Sequence, residues 1–281
     1  MEDTTHTVEM NLLRAASYIH EASAAGAKIV CLPETVTTNG LAYPQDNIIE
    51  GWTPFFAALA KEQSIAIIAP YFVNEGRHCF NQATVFDARG GIAGVYRKVQ
   101  PTGWEAQFVT PGDALPIIDL GFAKIAVMIC MDIYFPEIAR IYAMKGAEIL
   151  FWPTTTHGPT QSGLEAQLRS RAMDNSLYIV ESNLAGHPPY APYNGRFYPG
   201  NARVVDFNGD IIAQTGRRAG LAIADIDLDE RRTTSGVLLI NTPDNSRADL
   251  ESLARMDLFA KEYAAIANDQ QRFYDTLSDN R

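Results

Sequence analysis

Apolar residues along the chain fall into two patterns, the spacing of amphipathic helices and the short β-prone runs of buried strands. Segments with helical spacing are predicted as helices at 9–26, 54–63, 136–145, 164–175 and 249–277. Short apolar runs are predicted as strands at 28–32, 65–71, 124–129, 148–153, 177–183 and 221–228. Because the two kinds of element alternate, the pattern indicates a layered α/β fold rather than a helical bundle.

Two further pairs of strands are predicted as β-hairpins. The runs 80–87 and 91–99 flank Ala88-Arg89-Gly90. The runs 201–207 and 210–215 flank Asn208-Gly209, a dipeptide that strongly favours hairpin turns. The sequence therefore predicts two sets of strands with helices to cover them.

The last part of the chain has a different composition. Residues 230–247 are polar and rich in turn formers, and the helical pattern then resumes. We see no internal repeat or linker before this point, so residues 1–229 are predicted to form one domain. Residues 230–281 are expected to be a C-terminal extension whose helix packs at an oligomer interface.

Composition excludes several classes of protein. The 281 residues are 47% apolar and 20% charged, which is typical of a soluble globular chain. A net charge of −10 argues against a nucleic-acid partner, and no apolar run of about 18 residues is present to span a membrane. The polar start MEDTTHTVEM has no signal or transit pattern, so we expect a cytoplasmic location. The three cysteines have no metal-ligand spacing, and we expect no metal, other cofactor or disulfide framework.

Three ionisable residues stand at the ends of predicted strands: Glu34, Lys98 and Cys130. Reactive groups in α/β sheets collect at the carboxyl ends of strands, and a thiol becomes a nucleophile beside a base and a cation. A lone cysteine in an apolar strand is more often a packing residue, and each charge could lie on a solvated surface. Cys130, however, ends its strand just before a helix, the type of elbow that exposes nucleophiles. Cys31 and Cys79 lack that setting and are assigned to packing.

The order of motifs is more specific than any one residue. CLPE, YRK and ICMDIYFPE, followed by RAMDNSLYIVESN and VVDFNGDIIA, resemble the nitrilase superfamily of carbon–nitrogen hydrolases over about residues 9 to 228. The resemblance implies a four-layer α-β-β-α sandwich that associates through helices into homodimers or larger homo-oligomers. Family members normally begin with a strand, whereas only a short polar stretch precedes the first helix here. The first strand is therefore apparently missing.

The resemblance also implies roles for individual residues. Glu34 is similar to the family's general base, Cys130 to its nucleophile, Lys98 to the cation that stabilises the tetrahedral intermediate, and Glu105 to its second glutamate. The backbone N–H of Met131 is expected to help bind the oxyanion. Residues in loops near the predicted strand ends are expected to contact substrate: Tyr43, Trp104, Tyr134, His157 and Glu165.

The motifs leave the substrate open. VQPTGWE after the lysine is similar to the pattern of true nitrilases, whereas CMDIYFPE is similar to that of amide-cleaving and carbamoyl-cleaving branches. We expect a hydrolase that cleaves an amide or N-carbamoyl bond of a small molecule through a cysteine thioester. A nitrilase is the alternative among enzymes, and a catalytically silent binding or scaffold protein is the alternative of another class.

Overall fold

Two β-sheets lie at the centre of the protein, and four strands form the first. The computed structural model describes residues 8–38, 52–103, 105–156, 161–186, 198–233 and 254–278. The strands of the first sheet are β1 (Ile29–Cys31), β2 (Ala66–Glu75), β3 (His78–Phe86) and β4 (Ile92–Arg97). They are hydrogen-bonded in that order, with β1 parallel to β2 and the remaining pairs antiparallel.

The second sheet is larger. The later strands are β5 (Ile118–Asp119), β6 (Lys124–Val127), β7 (Ile149–Thr154), β8 (Tyr178–Asn183), β9 (Ala185–Gly186), β10 (Tyr198–Pro199), β11 (Arg203–Val205) and β12 (Ile211–Gln214). Six of them form the sheet in the order β12-β11-β8-β7-β6-β5, in which β6, β7 and β8 are parallel. Strands β9 and β10 form a separate antiparallel ribbon.

The helices lie against the outer faces of the sheets, except for the last one, which is exposed along its described side chains. They are α1 (Val8–Ala24), α2 (Trp52–Gln63), α3 (Pro136–Met144), α4 (Gln161–Asn175), α5 (Leu228–Thr233) and α6 (Met256–Ser278). Helix α3 connects β6 to β7. It begins at Pro136, whose missing N–H costs nothing in a first turn, and it ends before Gly146, which adopts a positive φ. In the part of the chain that the structure describes, no helix is both long and apolar enough to cross a membrane.

Alternation along β2 shows how the layers are stacked. Ile67 and Tyr71 are buried with Ile19 of α1 and Phe56 of α2, on one face of the first sheet. Ile68 points to the other face and joins the core formed with the second sheet. Successive side chains of a strand point to opposite faces, so β2 is buried on both sides. The layers are therefore helix, sheet, sheet and helix, as predicted for the α-β-β-α sandwich.

Both predicted hairpins are confirmed, and their turns share one construction. The Oδ1 atom of Asp87 accepts hydrogen bonds from the backbone N–H groups two and four residues later, at 2.7 and 3.1 Å. Asp206 makes the equivalent bonds at 2.9 and 2.8 Å. Gly90 and Gly209 have positive φ angles, which glycine adopts without steric cost. An aspartate at the start and a glycine near the end thus set each turn.

Two predicted elements differ from the structure. The prediction of a strand at 221–228 was wrong, because no β-ladder forms there before α5 begins. Leu221 packs on the core of the first sheet, and Ile226 and Leu228 pack on the core between the sheets. Burial of these apolar side chains accounts for the alternating sequence without a strand partner. Strand β2 is also longer than predicted, and it reaches Glu75 before the turn to β3.

The ends of the chain are described only in part. Residues 1–7, where a first strand would precede α1, lie outside the described residues, so its absence stays a prediction. The same holds for the division into residues 1–229 and an extension at 230–281. Helix α6 is present as predicted, and the side chains described on it, 256–267, are exposed.

Candidate active site

Three buried charged side chains come from the first sheet and the loop after it. Glu34 follows β1 and is 3% exposed, Lys98 follows β4 and is 2% exposed, and Glu105 lies in a short 3-10 turn and is 4% exposed. The Lys98 Nζ atom is 2.9 Å from Glu34 Oε1 and 2.7 Å from Glu105 Oε2. One ammonium group is therefore held between two carboxylates, and removing one partner would leave a buried charge unpaired.

Further hydrogen bonds fix both glutamates. Asn81 of β3, 1% exposed, donates through Nδ2 to Glu34 Oε1 at 2.8 Å and to Glu105 Oε1 at 2.7 Å. The other oxygen of Glu34 accepts from the N–H and the hydroxyl of Thr155, at 3.0 and 2.7 Å. Sequence reasoning missed Asn81 and Thr155. The signal for Asn81 was an amide side chain within a predicted strand, which needs a hydrogen-bond partner if it is buried.

The surroundings determine the charge states of this cluster. Burial disfavours the ionised form of Glu34, but the charge of Lys98 and hydrogen bonds from Lys98, Thr155 and Asn81 together lower its pKa below the ordinary value. Burial likewise disfavours the Lys98 ammonium, yet the charges of the Glu34 and Glu105 carboxylates, and of the Cys130 sulfur when it is ionised, raise the pKa of Lys98. We therefore assign an ionised Glu34 and a protonated Lys98 at neutral pH.

Cys130 lies at the predicted elbow between β6 and α3. Its backbone has a φ of 46°, a region that residues other than glycine rarely adopt, and it begins a short 3-10 turn that extends to Tyr134. Such local strain is common at reactive positions. The residue is half-buried. Its backbone carbonyl accepts a hydrogen bond from the indole N–H of Trp152 at 2.9 Å. Met131 follows in the same turn and is half-buried.

The Cys130 thiol has contacts with both sheets. Burial and the negative charge of Glu34 raise its pKa to about 12, against the opposing charge of Lys98 and hydrogen bonds from the Thr154 hydroxyl and the Thr155 N–H. The sulfur thus lies within the electrostatic influence of Glu34 and Lys98. At neutral pH it is a thiol, so it needs a base in order to attack a substrate.

Asp132 connects the cysteine elbow to the strand that carries the lysine. It is fully buried, and its Oδ2 atom accepts from the Tyr96 hydroxyl at 2.6 Å and from the Ile129 N–H at 2.7 Å. Its Oδ1 atom accepts from the Gln100 N–H at 3.0 Å. Burial raises the Asp132 pKa to about 6, although these hydrogen bonds and Lys98 oppose the shift. Since Tyr96 and Gln100 flank Lys98, Asp132 ties the lysine segment to the cysteine segment.

The predicted substrate contacts are only partly described. Tyr43, Trp104 and His157 lie outside the described residues. Tyr134 is 53% exposed in the turn after Cys130. Glu165 lies on α4, where its carboxylate is 3.0 Å from Arg169 and 3.7 Å from Arg203. Glu165 therefore has two cationic partners of its own, and a substrate would compete with them.

The other two cysteines are free thiols without such a setting. Cys31 is half-buried in β1, and burial raises its pKa. Cys79 is buried in β3, and burial together with the charge of Glu105 raises its pKa to about 11. A search of the described residues for three or more histidine, cysteine, aspartate or glutamate side chains able to hold a metal ion found no such group.

A two-sheet sandwich with a cysteine elbow beside a buried lysine and glutamates is typical of hydrolases that use a cysteine. Residues 1–235 match the carbon–nitrogen hydrolase family. Omega-amidase NIT2 of Homo sapiens is 32% identical over 235 residues, which cover 78% of this chain and 83% of the relative. Citrullinase of Francisella tularensis is 32% identical over 228 residues, with coverages of 74% and 79%. A nitrilase of Pyrococcus abyssi is 30% identical over 230 residues, with coverages of 78% and 84%.

Solved structures agree with these matches. A carbon–nitrogen hydrolase from Helicobacter pylori has a TM-score of 0.75 and is 28% identical, and the alignment covers 80% of this chain and 86% of the other. The chain therefore belongs to the carbon–nitrogen hydrolase family, within the amidase-like branch of the nitrilase superfamily. The predictions of the family, of the sandwich fold and of an enzyme are confirmed.

Loss of the Asp132 carboxylate is expected to destabilise the protein. In Asp132→Asn, the side-chain NH2 group must face one of the donors that now bind the carboxylate, and we expect the free energy of unfolding to fall by about 1–3 kcal/mol. Urea denaturation measures this change. Asp119→Asn is the matched control, because Asp119 accepts only a surface hydrogen bond from Gly121 at 2.8 Å among the described residues. Equal unfolding midpoints for the two variants would contradict the role of Asp132.

Proposed function

We propose that the protein hydrolyses the amide or N-carbamoyl carbon–nitrogen bond of a small molecule, with Cys130 as the nucleophile. The single observation that carries the proposal is the buried contact of Lys98 with Glu34 and Glu105, next to a thiol whose pKa both Glu34 and Lys98 influence. A base, a cation and a nucleophile are the groups that acyl transfer through a cysteine requires. The names of the omega-amidase and citrullinase relatives support an amide or carbamoyl substrate.

In the first half-reaction, Glu34 accepts the proton of the Cys130 thiol while the sulfur attacks the carbonyl carbon. Because the thiol pKa of about 12 is far above that of the lowered Glu34 carboxyl, a free thiolate is costly. We therefore propose that proton transfer accompanies attack, when negative charge moves from sulfur to the carbonyl oxygen. The Lys98 ammonium and the Met131 N–H would bind that oxygen. A preorganised donor of this kind contributes about 3–4 kcal/mol to the transition state.

The remaining steps reuse the same carboxyl group. Glu34 gives its proton to the leaving nitrogen as the carbon–nitrogen bond breaks, which releases ammonia or an amine and leaves a thioester on Cys130. Glu34 then takes a proton from water, the resulting nucleophile attacks the thioester, and the proton returns to the sulfur as the acid leaves. Glu105 is proposed to act through Lys98, which it holds at 2.7 Å. One water is consumed for each bond cleaved.

A nitrilase activity is the second candidate. The segment VQPTGWE after Lys98 and the Pyrococcus abyssi relative favour it. A nitrile would form a thioimidate with the same sulfur, and hydrolysis would then release ammonia. The segment CMDIYFPE favours the amide reading instead.

Substrate class is tested by measuring ammonia release from linear amides, N-carbamoyl compounds and nitriles. We expect turnover of amides or N-carbamoyl compounds and little turnover of nitriles. A protein that hydrolyses only nitriles would replace the first candidate with the second. Absence of turnover throughout the panel would favour a silent binding role.

Removal of the proposed base is expected to slow every reaction of the thiol. Glu34→Gln should abolish turnover, as should Cys130→Ala, because the thiol then has no proton acceptor or is absent. The Glu34→Gln variant should also be alkylated more slowly than the wild type by iodoacetamide at pH 7 to 8, because Cys130 is a neutral thiol at that pH and has lost the base that accepts its proton. Mass spectrometry locates the alkylated residue, with Cys31 and Cys79 as internal controls. Hydrolysis at the wild-type rate by Glu34→Gln or by Cys130→Ala would contradict the proposed mechanism.

We also propose that the protein forms homodimers or larger homo-oligomers through α6. Apolar side chains on this helix are exposed: Met256, Leu258, Phe259, Tyr263 and Ile266. Several exposed apolar side chains on one helix are typical of an interface. Phe259→Lys with Ile266→Lys should shift the protein toward monomer in analytical ultracentrifugation, whereas Phe122→Lys in a surface turn should not. An unchanged mass for the helix variant would exclude this interface.

A cytoplasmic location is proposed because all three cysteines are free thiols. Free thiols persist in reducing compartments, whereas oxidising compartments favour disulfides. Cell fractionation tests this proposal, and recovery of the protein from an oxidising compartment would contradict it.

A further inference from the structure

Asn183 has a buried side chain that the proposed mechanism does not use. It is the last residue of β8 and is 7% exposed. Neither its Nδ2 nor its Oδ1 atom has a hydrogen-bond partner in the described part of the protein. Buried amide groups are nearly always paired, since an unpaired one loses its hydrogen bonds to water without replacement. An unpaired amide at the end of the sheet where Cys130 stands therefore points to a ligand.

The register of the second sheet determines where this amide lies. Asn183 pairs with Thr154 across the parallel strands β8 and β7. Paired residues of neighbouring strands are about 4.8 Å apart and point to the same face of the sheet. Val127 of β6 pairs with Phe151 of β7, so Cys130 and Thr154, each three residues further on, stand at the same end of the sheet. The Asn183 amide is thus at the end of the sheet where the nucleophile stands, with β7 between them.

Glu181 is a second buried polar residue on β8. It lies on the same face, two residues earlier in the strand, and its carboxylate is 3.4 Å from Arg203 on β11. That carboxylate has a cationic partner of its own, whereas neither polar atom of the Asn183 amide has a hydrogen-bond partner among the described residues. Oδ1 is the acceptor of this amide, so it is the atom that can bind an N–H of a ligand.

We infer that Asn183 is a substrate-binding residue whose Oδ1 accepts a hydrogen bond from the N–H of the carbon–nitrogen bond to be cleaved. This inference rests on the proposed function and deepens it. The substrate carbonyl is committed to Lys98 and the Met131 N–H, so its nitrogen needs an acceptor on another side of the sulfur. Primary amides and ureido groups carry such an N–H, whereas esters and nitriles do not. Asn183 would therefore contribute to the choice of substrate class.

The test compares an amide with an ester of the same acid. The amide is the one that the wild-type protein hydrolyses fastest, and the ester is the p-nitrophenyl ester, which acylates an active thiol and has no N–H in its leaving group. Asn183→Leu removes the acceptor at similar volume. Asn175→Leu is the matched control, because Asn175 is also a buried asparagine with an unpaired Oδ1 but ends α4, before the start of β8.

We expect Asn183→Leu to lower kcat/KM for the amide about 10- to 100-fold, the effect of one lost substrate hydrogen bond, and to leave the rate of acylation by the ester within about two-fold. Asn175→Leu should change both rates by the same factor. Equal losses on amide and ester in Asn183→Leu, or no loss on the amide, would overturn the inference.

Two other outcomes, an unfolded variant and a wild-type protein without amidase activity, can be told apart from failure of the inference. If Asn183→Leu does not fold, the ester reaction disappears as well, and Asn183→Ala, which adds no atoms, takes its place with the same expected outcome. Failure of the proposed function has a different signature, because the wild-type protein itself would then cleave no amide. The inference would fall with it.

Discussion

The structure depends most on one constraint, the burial of the Lys98 ammonium between two carboxylates. Taking these charges out of water is costly, and the cost is offset only when both glutamates and Asn81 surround the lysine. Those groups come from the ends of β1 and β4, from the middle of β3 and from the turn at Glu105. Because the Glu34 pKa is lowered, its contribution to stability is present at neutral pH and is lost as the pH falls through that lowered value.

The nucleophile comes from the other half of the molecule. Cys130 follows β6 of the second sheet, and its sulfur contacts Thr154 and Thr155 at the end of β7. Thr155 in turn donates two hydrogen bonds to Glu34, so one residue contacts both the base and the thiol. Packing in the core between the sheets therefore determines how the Glu34 carboxylate is positioned relative to the Cys130 sulfur. A cavity in that core would affect reactivity as well as stability.

The sequence predicted the parts of the site that stand at strand ends. Glu34 and Cys130 were recognisable because each is an ionisable residue at the predicted end of a strand, the first after Pro33 and the second before a helix. The order of the motifs then connected them to Lys98. Asn81 and Asp132 were not predicted as parts of the cluster. Both are polar residues with hydrogen-bond partners that are distant in sequence. Their place in the cluster depends on tertiary packing, which a local sequence pattern does not show. The prediction of a strand at 221–228 was wrong for the same reason. The alternation of apolar and polar residues there reflects packing of apolar side chains on two cores rather than strand pairing.

The hydrogen bond from Trp152 to the Cys130 carbonyl has a geometric consequence. A trans peptide unit is flat, and its N–H points opposite to its C=O. The hydrogen bond from the buried Trp152 indole to the carbonyl oxygen of residue 130 therefore determines the direction in which the N–H of Met131 points. Trp152 of β7 thus orients the backbone N–H of Met131 without a contact to it, through the peptide group that joins residues 130 and 131.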